Sequence, residues 1–280
     1  MAQLRTLLDG LAFPEGPRWH EGRLWFSDMH RDRVIALDLD GNAETIAEVA
    51  GRPSGLGWDP EGRLLIVSMV DRRLLRLDPE GLTEVALLGH LAPWHCNDML
   101  VDEQGRAYIG NFGWDHEKQS GPVATRMLRV DPDGTVHVAA EDLLFPNGTV
   151  LTPDGRTLVV GETYGARLTA FDVDADGALS NRRTWAELEG AVPDGICLDT
   201  EGAIWVACPV SGRVLRIREG GEVLDTVEVE HKAFACMLGG PTGNHLFVCT
   251  APDSDRDACR RLRGGRIEIL EVDTPQAGLP

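Results

Sequence analysis

Glu15, Asn97, Asn147 and Asp194 stand at one repeated place in this chain, and together they offer oxygen ligands for a hard cation. Asn97, Asn147 and Asp194 lie eight residues before Gly105, Gly155 and Gly202. Glu15 lies seven before Gly22, where the turn is one residue shorter, and the same count of eight from Gly62 and Gly243 gives Ser54 and Ala235. Carboxylate and amide oxygens suit Ca²⁺, Mg²⁺ or Mn²⁺ better than a thiolate-seeking metal. Without a cation, two carboxylates held close repel, and one of them stays protonated. The competing reading is an Asx turn at the start of each strand, with Gly16, Gly148 and Gly195 following because the turn needs them. That accounts for any single copy; four copies at one position, two of them charged, favour a metal site.

For these positions to converge, the chain must repeat one unit around an axis. A glycine turn followed by a short apolar strand recurs at 21–26, 61–66, 104–109, 154–159, 201–206 and 242–247, with the glycines 40, 43, 50, 47 and 41 residues apart. A second alternating strand follows each, as at 33–38, 73–78 and 126–131, and a third closes most units, as at 44–49 and 136–139. Alternating apolar positions ending in Asp/Gly turns mark half-buried antiparallel strands. With the strand that carries the ring residue, each unit holds four strands, the signature of a propeller blade. The expectation is an all-β, six-bladed β-propeller, one domain over residues 1–280. Its inner strands would begin at one mouth of a central channel, ringed by Glu15, Ser54, Asn97, Asn147, Asp194 and Ala235.

The last unit stops after its third strand near Val272, and residues 3–9 resemble the outer strand of the other units. The N-terminal strand is therefore expected to close the last blade and leave no open sheet edge, with 273–280 an exposed tail. The second strand of each blade returns to the same mouth at Asp28, Ser68, Asn111, Gly161 (then Glu162), Cys208 and Cys249. These are expected to face substrate or to stand behind the ring. Loops 113–125 and 251–264 exceed the frame, and the first is the better candidate for shaping a pocket.

Composition narrows the partners. At 280 residues and 42% apolar, with 32 Gly and 16 Pro, the chain can bury a large core in a turn-rich β fold. A formal net charge of −18 disfavours nucleic acid and anionic membranes. The N-terminus has no apolar targeting segment and no window approaches a membrane span, so a cytoplasmic location is expected. The six cysteines show no Cys-x-x-Cys spacing and are expected as reduced, buried thiols. No nucleophile elbow surrounds Ser54. The acidic run 172–177 starts like a calcium loop, but its twelfth position is Arg183 where a bidentate Glu is needed.

The segments Pro14-Glu15-Gly16-Pro17-Arg18-Trp19, Asn97-Asp98, Pro146-Asn147-Gly148, Pro193-Asp194-Gly195-Ile196-Cys197-Leu198-Asp199 and the closing Gly265-Arg266-Ile267 with Glu271-Val272-Asp273 carry a further signal. In this order they resemble the senescence-marker-protein/gluconolactonase/luciferin-regenerating-enzyme family over the whole chain. The resemblance implies a six-bladed propeller with one divalent cation in its channel and, in many members, hydrolysis of sugar lactones or related esters. It implies metal ligands at Glu15, Asn147 and Asp194, a general-base position at Asp194, and contact to substrate or the metal's water at Asn97. Members acting on aldonolactones commonly carry Arg two residues before that Asn; here His95 stands there, and the segment 110–115 also departs from the gluconolactonase pattern.

The resulting expectation is a divalent-metal-dependent lactone hydrolase, gluconolactonase-like. Ca²⁺ is the first choice, with Mg²⁺, Mn²⁺ or Zn²⁺ as alternatives. The cation would polarise the carbonyl and Asp194 would position or deprotonate water. Asn97, His95 and Asn111 would hold a small-molecule lactone or ester, His95 also being able to shuttle a proton near neutral pH. Two alternatives are an aryl-ester or organophosphate hydrolase on the same centre, and a non-catalytic binding propeller that keeps the metal for structure.

Overall fold

The computed structural model describes residues 4–115, 118 and 121–280. Its strands form six four-stranded antiparallel sheets, five of them in chain order and the sixth joining the first strand to the last three, and the innermost strands pack against their counterparts in the adjoining sheets. This is a six-bladed β-propeller. The inner strands are Pro14–His20, Pro53–Trp58, Cys96–Val101, Pro146–Leu151, Ile196–Leu198 and Lys232–Gly239.

Burial explains the sequence texture. Second strands such as Leu64–Ser68 and Ile204–Cys208 are buried at every position, because blades cover both faces, and they read as unbroken apolar runs. Outer strands such as Ala43–Glu48 are mostly exposed and carry charges that discourage edge pairing. Many of the acids belong to the turns. Asp59 Oδ1 accepts the backbone N–H groups of Glu61 and Arg63, while its Oδ2 pairs with Arg63 Nε at 2.7 Å; Asp102 holds Gln104 and Arg106 in the same way. The 172–177 run is likewise a hairpin turn, with Arg183 Nη1 donating to Asp172 Oδ1 at 2.6 Å.

The ring closes as expected, with its boundaries moved. Arg5–Leu11 pairs antiparallel with Gly265–Glu271, Arg5 opposite Ile269 and Leu11 opposite Gly265. Gln3, the first residue of the expected strand, lies outside the described residues. The exposed tail is a correction. Asp273 is exposed, but Thr274 is buried and residues 275–280 are half-buried, lying across the far ends of the inner strands. Thr200 N–H donates to Pro275 O, Gln276 N–H to Gly243 O and Ala277 N–H to Leu198 O, and Leu279 and Leu151 exchange a pair of bonds. Unpaired carbonyl and N–H groups at those strand ends are satisfied by the tail, which explains why it docks.

The glycines after the ring residues also have a different cause from the one expected. Of the three, only Gly16 has a positive φ, at 55°. At Gly148 a Cβ would lie 2.5 Å from Ile196 N, and at Gly195 it would lie 2.5 Å from Ala235 Cβ. The adjoining inner strand occupies that space, so glycine is required by the approach of blades to one another. All six cysteines are buried and free. Among the described residues, no helix is long and apolar enough to cross a membrane.

Candidate active site

The starts of the inner strands deliver Glu15, Asn97, Asn147 and Asp194 to one cavity of about 890 Å³. Asn147 Nδ2 donates to Asp194 Oδ1 at 2.5 Å and to Thr163 Oγ1 at 3.2 Å. With its NH₂ group so engaged, Asn147 has a carbonyl oxygen to offer the cavity. Ser54 Oγ donates to Asn97 Oδ1 at 3.4 Å. Glu15 Oε2 accepts the N–H of Gly16 at 3.0 Å. The sixth ring position, Ala235, packs on Gly195 and brings no polar group.

Electrostatics at this floor are unfavourable for bare protein. Burial pushes the Asp194 carboxyl up to about 8, against the Asn147 hydrogen bond, and the charge of Asp98 adds to the rise. Burial raises Glu15 well above the usual carboxylate range, helped by the charge of Asp194 and opposed by the Gly16 N–H and Arg18. Arg18 gives little relief, because its guanidinium is spent elsewhere. It pairs with Asp98 Oδ1 at 2.7 Å and donates to the carbonyls of Pro17, Leu56 and Met99. Among the described residues, no three His, Cys, Asp or Glu side chains cluster so as to hold a cation. A cation here must therefore take amide oxygen as well as carboxylate, and Glu15, Asp194 and the Asn147 carbonyl make such a donor set. Hard divalent ions fit it.

The residues behind the ring hold its frame. Asp28 Oδ1 accepts the N–H groups of Ala12 and Phe13, both at 3.0 Å, and its Oδ2 pairs with Arg33. Glu162 does the same in the fourth blade, taking Leu144 N–H at 2.8 Å together with Arg167 and Thr169. Each thereby fixes the backbone two or three residues before a ring side chain.

Asn111 requires a correction. Its side chain is wholly buried and does not line the cavity. Its Oδ1 accepts from Gly113 N–H and Thr125 Oγ1 while its Nδ2 donates to Arg126 O at 2.5 Å, so the amide pins the base of the 113–125 loop. His95 does line the cavity, stacked on Trp94 at 4.6 Å with its edge on Phe112. In the 113–125 loop, residues 116, 117, 119 and 120 lie outside the described residues; Trp114 is buried and lines the cavity.

Two further parts complete the wall, the first of them the loop that the sequence ranked second for shaping a pocket. The 251–264 segment carries the helix Arg256–Leu262, capped by Asp255 Oδ1 on Ala258 N–H at 2.8 Å. It locks onto the first blade through Arg260 Nε donating to His30 O at 2.7 Å and a His30 Nε2 contact with Ser254 O at 3.1 Å. The other is an aromatic group, Phe112, Trp114, Phe145 and Tyr164, packed edge to face except for the tilted pair Phe145 and Tyr164. Phe145 stands two residues before a ring position, and that offset was the available signal.

Residues 13–252 match the family described as SMP-30/Gluconolactonase/LRE-like region. Regucalcin of Gallus gallus is 33% identical over 271 residues, covering 91% of this chain and 89% of its own length. A 6-deoxy-6-sulfogluconolactonase of Pseudomonas putida is 32% identical over 250 residues, covering 86% and 84%. The structure of a luciferin-regenerating enzyme superposes with a TM-score of 0.85 at 20% identity, covering 100% of this chain and 99% of that one.

Proposed function

Because the chain belongs to the SMP-30/Gluconolactonase/LRE-like family, we propose that it is a divalent-metal-dependent hydrolase that opens lactones, with Glu15, Asn147 and Asp194 holding the metal. The observation that carries this reading is the meeting of two carboxylates and one amide at the floor of a single cavity, with Arg18, the cation beside Glu15, already engaged by Asp98. The lactonase relative supports the ester class. When bound, Ca²⁺ or another hard divalent ion supplies positive charge for the oxygen that becomes negative as the lactone opens.

The remaining work falls to side chains. Asp194, oriented by the Asn147 amide, accepts a proton from the attacking water. Asn97, its Oδ1 held by Ser54, turns its NH₂ group to substrate oxygens. His95, held by Trp94 and Phe112, contacts the substrate's ring and can take up or release a proton.

The test is Asp194→Ala, read by metal content after dialysis against Ca²⁺ and by a pH-indicator lactone assay. Metal and turnover are expected to vanish together. Lactone turnover surviving in the metal-free variant would overturn the assignment.

A further inference from the structure

We infer that the lactone taken by this cavity carries an aryl or other flat apolar substituent in place of a set of sugar hydroxyls. The inference rests on the lactonase reading of the same site and narrows it. Two residues before the ring positions stand Phe13, Arg52, His95, Phe145 and Val192, and all five line the cavity. This second tier is what a substrate meets above the floor. Three of its five members, Phe13, Phe145 and Val192, are apolar, and Arg52 and His95 are the other two.

The apolar surface extends on both sides. Phe145 meets Phe112 edge to face at 4.5 Å and lies tilted against Tyr164 at 5.6 Å, and Trp114 meets Tyr164 edge to face at 4.9 Å. Across the cavity Phe13 packs on Phe234 at 4.6 Å and on His30 at 4.7 Å. Against these rings a polyol's hydroxyls would find few partners, whereas a flat ring gains contact with aromatic faces and edges; the charged lining residues Arg52, Lys232, Asp253, Asp255 and Arg256 come from other segments of the wall.

Phe145 and Arg52, which hold the same place in their blades, have φ of 60° and 61°, in the left-handed region where glycine sits freely. The blade frame sets this backbone, and the side chain it carries differs from copy to copy.

The experiment compares kcat/KM for γ-phenyl-γ-butyrolactone and D-glucono-δ-lactone, using the full chain loaded with Ca²⁺. The phenyl lactone is expected to lead by roughly ten-fold or more, the scale of discrimination an apolar pocket provides. Phe145→Gly, which suits the left-handed backbone and so keeps the fold, is expected to cut that lead by roughly ten-fold through KM for the phenyl lactone. A lead for gluconolactone overturns the inference and leaves the lactonase reading standing. A phenyl preference that Phe145→Gly does not change overturns the role given to the aromatic wall. Turnover of neither lactone, with Ca²⁺ bound, removes the lactonase reading and this inference with it.

Discussion

Replacing Asp194 with Asn is expected to stabilise the metal-free protein, although it takes the charge from a ligand of the proposed cation. In place, the Asp194 carboxyl titrates at about 8 against an ordinary 3.8. Between those values the folded state binds more protons than the unfolded chain, so stability falls as pH rises from about 4 to about 8 and is level outside that window. At pH 7 the folded carboxyl is still mostly protonated while the unfolded one is ionised, and this difference costs the fold about 4 kcal/mol relative to pH below 4. Glu15, raised by burial and by Asp194, adds in the same direction. Asparagine carries no charge and still offers an oxygen to Asn147 Nδ2. For a chain of this size each kcal/mol is worth about 2 °C in Tm, so the gain at pH 7 is about 8 °C. Scanning calorimetry in EDTA from pH 5 to 8.5 reads the effect. Wild-type Tm should fall with pH and the Asn variant should fall less, with Ca²⁺ raising the wild type alone. A metal-free Asn variant that melts below wild type at pH 8, or a wild-type Tm indifferent to pH, would refute the reasoning.

Arg18→Met leaves the Asp98 carboxylate buried without its partner, and the loss expected is about 3–5 kcal/mol, measured as a shift in urea midpoint. A loss under about 1 kcal/mol would mean that water reaches Asp98 in place of the guanidinium. Ending the chain at Val272 removes the tail's five backbone hydrogen bonds to residues 151, 198, 200 and 243. At about 0.5–1.5 kcal/mol each, this should lower stability by several kcal/mol while lactone turnover at room temperature persists, because the tail lies at the opposite ends of the strands from the ring. An unchanged Tm would show that the tail contributes nothing.

The blades were legible because the fold writes them as punctuation. Asp-x-x-Gly turns such as 59–62 and 102–105 fix the start of each second strand, and counting back from the glycine finds the channel. Asn111 was misread because an amide at a strand end can face the channel or fold back on its own blade. Gly113 and Thr125, two of its actual partners, lie two and fourteen residues away along a loop with no periodic pattern. The aromatic wall was hidden for a related reason: Phe112, Trp114 and Tyr164 sit on connections between strands, where no alternation marks which way a ring turns. The docked tail gave no pattern at all, being held by backbone groups that sequence does not display.

The strand Arg5–Leu11 leaves the ribosome before the other described strands, and its partner Gly265–Glu271 leaves after them. The first strand therefore waits, unpaired, through nearly the whole of synthesis. Glu15 follows it by only a few residues, and Asp28 anchors the stretch between them. Sealing the last blade and seating Glu15 beside Asp194 thus belong to one late event. A nascent chain can build its middle blades in sequence, yet the proposed cation site is complete only once Arg5–Leu11 has paired with Gly265–Glu271.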